Sequence, residues 1–143
     1  MEGSFFDDVL DIVIGFVADV PGPMRSSVHR RGLKVWFADS NREHYEAQLI
    51  RVDGEPALEV GFHAEHPKPD ANEAVLAVLV REKRAWEKVL GPDAVAGEFI
   101  GAARWRRISE LWPVPEDDDV DAAIEVAARL ADYIHALERI RRG

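Results

Sequence analysis

Between His44 and Glu65 apolar and polar residues alternate in two runs, joined by Asp53-Gly54-Glu55-Pro56. Alternation of period two marks strands with one buried face, and Asp-Gly between such runs is a strong hairpin signal, because both residues accept the positive φ of a type I′ turn. With Asp53 and Gly54 as the loop, Val52 pairs with Glu55, and Leu49, Ala47 and Tyr45 fall opposite Leu58, Val60 and Phe62. That side is wholly apolar, as a core face requires. The other side sets Gln48 against Glu59, Glu46 against Gly61, and His44 against His63. A slip of one residue would mix the two faces. Pro56 sits beside the turn, where its missing amide matters least.

A third strand, Leu33 to Ala38, precedes the hairpin. Its apolar residues Leu33, Val35 and Phe37 set over Leu49, Ala47 and Tyr45 put Trp36 beside Glu46 and across from Gly61. An aromatic there covers exposed glycine backbone, or acts as an anchor for a partner on an open sheet face. Ser26, Ser27 and Val28 could begin an edge strand running into Leu33, with Arg30-Arg31-Gly32 as a bend or bulge.

Helical periodicity appears three times. Phe5, Val9, Ile12, Val13, Phe16 and Val20 recur behind an N-cap at Ser4, and Pro21-Gly22-Pro23 ends the helix. A second helix begins at Asp70 or Asn72 and ends near Leu90, before Gly91-Pro92. Its first half, Ala74 to Val80, is apolar nearly all round, which predicts a central helix packed on the sheet. The third opens with Glu116 to Asp119 and presents Val120, Ala123, Ile124, Ala127, Leu130, Ile134 and Leu137. Arg139, Arg141 and Arg142 suit its C-terminal dipole. Residues 95–112 hold glycines among aromatic and β-branched residues and read as a strand pair. The class is α+β, in the order α-β-β-β-α-β-β-α, with an antiparallel sheet of about five strands in one domain over residues 1–143.

Composition narrows the chemistry. The chain has no cysteine, which excludes disulfides, thiolate catalysis and cysteine-based metal centres. With 27 acidic and 18 basic residues the net charge is −9, unfavourable for steering toward nucleic acid or anionic membrane. No run approaches a membrane span, and the opening residues lack a signal peptide's basic start, so a cytoplasmic location is expected.

Four groups of residues are candidates for function. His44 and His63 face each other near Glu46, Glu65 and His66, a set that could ligate an ion; the spacing matches no zinc motif, and paired histidines near strand ends are usually solvated, so no metal or other cofactor is assigned. Glu46 and Glu59 share the polar face and could form a carboxylate pair. Lys34 falls in the row of Gln48 and Glu59 and neutralises the glutamate. Three strands flanked by helices resemble the restriction-endonuclease core, but Glu59-Val60-Gly61 lacks the lysine which that chemistry needs. Arg104, Trp105, Arg106 and Arg107 could meet phosphate and stack on a base, more so if the fold brings Arg25, Arg30, Arg31 and Lys34 alongside. Glu116 to Asp121 lacks the glycine of a calcium loop and reads as helix capping.

The element order resembles the fold of type III secretion chaperones and their bacterial relatives, which implies a protein-binding dimer. The stretch from Leu76 to Trp112, with Trp86, Leu90-Gly91 and Trp105-Arg106-Arg107-Ile108, resembles an uncharacterised bacterial domain appended to restriction- and DNA-modification-associated proteins; the resemblance implies no catalytic residue. The reading that follows is a non-catalytic adaptor that binds protein through a sheet face around Trp36 or through helix surfaces, as a homodimer. One alternative is an accessory nucleic-acid-binding domain using Arg104, Arg106 and Arg107. Another is a metal-dependent hydrolase using Glu46, Glu59 or His63.

Overall fold

The computed structural model describes residues 3–116 and 118–143, with side chains from residue 5 onward. The order is α1 (Gly3–Phe16), β1 (Arg25–His29), β2 (Gly32–Trp36), β3 (Glu43–Val52), β4 (Glu55–Ala64), α2 (Pro69–Arg81), α3 (Lys83–Leu90), β5 (Val95–Phe99), β6 (Ala102–Trp112) and α4 (Val120–Arg141). The strands form one antiparallel sheet in the order β1-β2-β3-β4-β6-β5. The class is α+β as expected, with six strands and four helices where about five and three were predicted. No helix among the described residues is long and apolar enough to cross a membrane.

The central hairpin has the predicted register: Leu49 pairs with Leu58, Ala47 with Val60, Tyr45 with Phe62 and His44 with His63. Asp53 and Gly54 turn it at φ 51° and 82°, as a type I′ loop requires. Upstream, Ser26 to Val28 do not run through a bend into Leu33. They belong to a separate edge strand, paired with β2 across a turn at Arg30-Arg31. The expected β2–β3 register is two residues out. Leu33 pairs with Ala47 and Val35 with Tyr45, which puts Lys34, not Trp36, beside Glu46. The Leu49 amide donates to the Arg31 carbonyl at 2.7 Å, holding the start of β2 level with the middle of β3. Alternation leaves a two-residue shift open, since it preserves which face each residue occupies.

The long helix predicted over residues 70–90 breaks at Glu82, whose φ of −102° and ψ of 23° are not helical. The break lets Trp86 fold back, fully buried, and its Nε1–H donates to the Leu79 carbonyl at 2.8 Å. Nor is this the central helix: α2 buries only Asn72 and Leu79, while Val78 and Val80 are exposed. That role falls to α4, which buries Ala123, Val126, Ala127, Leu130, Ala131, Tyr133, Ile134 and Leu137. Of its predicted face Ala123, Ala127, Leu130, Ile134 and Leu137 are buried, but Val120 and Ile124 are exposed. Asp119 caps it, accepting the Ala122 amide at 2.9 Å; Asp117 of the acidic run lies outside the described residues. In α1 the buried residues are Phe5, Phe6, Val9 and Val13, with Val17 just beyond; Phe16 is exposed. The side chain of Ser4, its expected cap, lies outside the described residues.

One continuous core joins the helices to a single sheet face, through Leu33, Val35, Tyr45, Ala47, Leu58, Val60, Phe62 and Ile108. Polar contacts between layers arise on the same side. Tyr45 donates to Glu138 at 2.9 Å, and Glu110 accepts from Arg129 and from Tyr133. Arg141 lies 4.9 Å from the Phe62 ring while pairing with Glu43. Period two sends the intervening residues, His44, Glu46, Gln48, Glu59, His63 and Ser109, to the face away from this core.

Candidate functional site on the sheet face opposite the helices

The registers of four strands, β2, β3, β4 and β6, assemble the site. In one row His44 pairs with His63, and His63 with Arg107. In the next Lys34 pairs with Glu46, Glu46 with Gly61, and Gly61 with Ser109. A Cβ on Gly61 would stand 2.3 Å from the Ile108 carbonyl oxygen and 2.6 Å from the Ser109 side chain, so only glycine lets β4 and β6 approach this closely. Because Gly61 has no side chain, Glu46 can lean across β4 and reach both histidines.

The side chains there are not solvated, as paired histidines at strand ends were expected to be. His63 and Glu59 are wholly buried, His44 is 1% exposed and Glu46 2%. Phe99, at the end of β5, sets its ring edge-on to His63 with centroids 4.7 Å apart, and packs on Trp105 at 5.7 Å. Buried polar groups must be satisfied, and these are. His44 Nδ1 is 2.7 Å from the carbonyl of Asn41; a carbonyl only accepts, so this nitrogen carries hydrogen. Its Nε2 faces Glu46 Oε1 at 2.8 Å and Glu65 Oε2 at 3.6 Å. His63 Nδ1 faces the same two oxygens at 2.9 and 3.2 Å, and its Nε2 faces Glu59 Oε2 at 2.9 Å. Glu59 also accepts from Ser109 Oγ at 2.7 Å and from Gln48 Nε2 at 2.9 Å.

The electrostatics follow from burial opposed by pairing. Burial disfavours the charged imidazole of His63, but the Glu59 charge and the bonds to Glu46, Glu59 and Glu65 outweigh it and hold the pKa well above the ordinary histidine value. Burial likewise works against charge on Glu46 and Glu59. Bonds from His44 and His63 draw Glu46 far below the carboxylate range, and the charge and bond of His63, with Ser109 and Gln48, lower Glu59. The two glutamates are therefore bridged through His63, not an acid–base pair in mutual contact. Ser109 bonds to the carboxylate and not to the imidazole, the wrong order for an activated nucleophile.

Other expected site residues are dispersed. Trp36 is half-buried at the end of β2, one step past the Val35–Tyr45 pair and so beside His44. Its buried Nε1–H has no hydrogen-bond partner among the described residues. The arginine segment divides between the faces. Arg106 turns toward α2 and pairs with Glu73 at 2.9 Å, whereas Arg107 donates to Ser109 Oγ at 2.9 Å on the polar face. Arg104 is exposed, 5.7 Å over the Trp105 ring. The basic residues of β1 and β2 lie across β3 and β4 from β6, so the fold does not merge the two groups. His66 leaves the cluster for Glu43 at 2.7 Å, while Glu65 stays in it.

Among the described residues, the groups able to hold a metal ion are His44, Glu46, His63 and Glu65, which offer one donor atom each, all within 4.8 Å of one another. The sequence pattern offers these four and sets Gln48 opposite Glu59, but gives no sign of Ser109 or the Asn41 carbonyl. Gln48 shares their face by simple alternation; Ser109 needed the β4–β6 register, a pairing about fifty residues apart in the chain. Comparison with protein-family models, curated proteins and solved structures finds no match for this chain.

Proposed function

We propose that the chain is a non-catalytic binding domain and that its working surface is the sheet face opposite the helices. The observation that carries this reading is a pre-organised charged cluster on that face, flanked by the aromatic rings of Trp36, Phe99 and Trp105, none of them fully buried. Beyond the rings the face offers two exposed apolar side chains, Val95 and Leu111. Aromatic residues beside exposed apolar area are the usual anchors of a protein interface, and a protein segment is the partner proposed. Nucleic acid is a weaker reading, because the segment 104–107 is split between faces and the net charge is −9. Hydrolysis is weaker too, since the acidic and imidazole groups bond one another under cover.

Partner capture with a cross-linker placed next to Leu111 tests the reading. A partner that survives nuclease, is kept by Val80→Arg on the helix side and is lost with Leu111→Arg supports it. Loss with Val80→Arg alone would move the interface to the helices, and loss on nuclease treatment would favour the nucleic-acid reading.

A further inference from the structure

The cluster on the sheet face has the organisation of a metal centre as well as of an ion-pair network. We propose that His44 Nε2, His63 Nδ1, Glu46 Oε1 and Glu65 Oε2 bind one divalent first-row transition ion, zinc being the best fit. This names a ligand for the same face and rests on reading that face as the working one.

The inner geometry comes first. A tetrahedral ion with bonds of about 2.0–2.2 Å sets its donors roughly 3.3–3.6 Å apart. The nitrogen–oxygen separations here are 2.8, 2.9, 3.2 and 3.6 Å and all four donors lie within 4.8 Å of one another, so side-chain rotations that even out these distances would admit an ion. The donors sit on two adjacent strands, His44 and Glu46 on β3, His63 at the end of β4, with Glu65 just past it. Their backbone is fixed by the ladder, and by the bond from the Glu65 amide to the Arg42 carbonyl at 2.7 Å.

The outer arrangement is independent of the four donors and points the same way. Metal-bound imidazoles characteristically donate their second N–H to a carbonyl or carboxylate, which fixes tautomer and ring orientation. His44 does this through Nδ1 to Asn41, leaving Nε2 directed at Glu46 and Glu65. His63 does it through Nε2 to Glu59, leaving Nδ1 directed at the same two carboxylates. Glu59 is in turn held by Ser109 and Gln48. Each histidine thus has one nitrogen anchored outside the cluster and the other aimed at a common point. A simple ion-pair network does not require that division of labour.

Charge is compatible with the ion. Two neutral imidazoles and two carboxylates around one divalent ion form an electrically neutral inner set. Two nitrogens and two carboxylate oxygens suit zinc, cobalt or iron(II). Calcium and magnesium favour all-oxygen shells.

The test is titration calorimetry of the chelator-treated full chain with zinc chloride, and with cobalt chloride followed by visible absorption. Uptake of one ion per chain is expected, with the intense cobalt bands of tetrahedral coordination and no uptake of magnesium. Glu65→Gln and His44→Gln should abolish tight binding, and Glu59→Gln should weaken it by about 10–100-fold. Glu65 is the most exposed of the donors, so its amide variant is the one expected to stay folded, as checked by circular dichroism. No zinc or cobalt uptake by the wild type would overturn the proposal. So would binding that survives both Glu65→Gln and His44→Gln, which would place the ion on outlying histidines such as His29 or His135. Either failure leaves the binding-face reading standing, since that is judged by the Leu111 and Val80 variants without added metal.

Discussion

Gly61 is the residue that makes the cluster geometrically possible. Any Cβ there enters the Ile108 carbonyl and the Ser109 side chain. Overpacking of a tight site costs about 1–3 kcal/mol, and here the obstacle is largely backbone, which yields least. Gly61→Ala is expected to lower the unfolding free energy from urea denaturation by that order; an unchanged value would show that β4 and β6 are not this close. Glu110 supports a second prediction, on the opposite face. Burial raises its pKa, but Arg129, Trp112 and Tyr133 together draw it below the ordinary carboxylate value. The folded value is thus below the unfolded one, so its contribution to stability is present above about pH 4.3 and lost as pH falls through the folded pKa. Denaturation followed from neutral to acid pH should show that slope, and Glu110→Gln should flatten it. At this scale the sequence was partly legible. Hairpin chemistry set His44 opposite His63 and Glu46 opposite Gly61. Their burial was not legible, because Phe99 and Ser109, brought in by the β5–β6 pair, lie far away in the chain.

Among the elements, local signals predicted well and packing signals did not. Asp-Gly located the β3–β4 turn to the residue and Gly91-Pro92 the end of α3, whereas α1 ends at Phe16, short of Val20 and the Pro21-Gly22-Pro23 stop. The apolar run Ala74 to Val80 looked like the central helix, yet Val78 and Val80 face solvent. Apolar content alone does not say which helix wins the middle of a sheet. The winner, α4, is longer, and its alanines allow close approach while Tyr133, Glu138 and Arg141 bond across the layer interface. The break at Glu82 follows from Trp86, whose N–H takes the Leu79 carbonyl. Trp86→Phe keeps most of the ring volume and removes that donor. A loss of about 0.5–1.5 kcal/mol in thermal or urea unfolding is expected, the scale of one neutral hydrogen bond. No loss would mean that the bond does not hold the α2–α3 break. Asp119→Ala should cost about 1 kcal/mol through the lost cap on α4, read in the same way; an unaffected midpoint would show the cap to be dispensable.

Across the whole molecule the sheet divides labour between its faces, one joined to four helices by a continuous apolar core, the other carrying charge under a rim of aromatic rings. That division explains why Arg106 and Arg107, neighbours in the basic segment, are separated: one pairs with Glu73 of α2 and the other bonds Ser109 on the polar face. Retention on a DNA column is therefore expected to vanish at physiological salt, and retention with a steep salt slope would contradict this. On the face away from the helices, two histidines turn toward one point. Anomalous scattering at the zinc edge, from crystals grown with zinc, reads that point directly. A peak is expected between His44 Nε2 and His63 Nδ1, within bonding distance of Glu46 and Glu65. A cluster without a peak, in crystals that bind zinc at surface histidines instead, would contradict it and leave the cluster a proton-bridged network that stabilises the sheet.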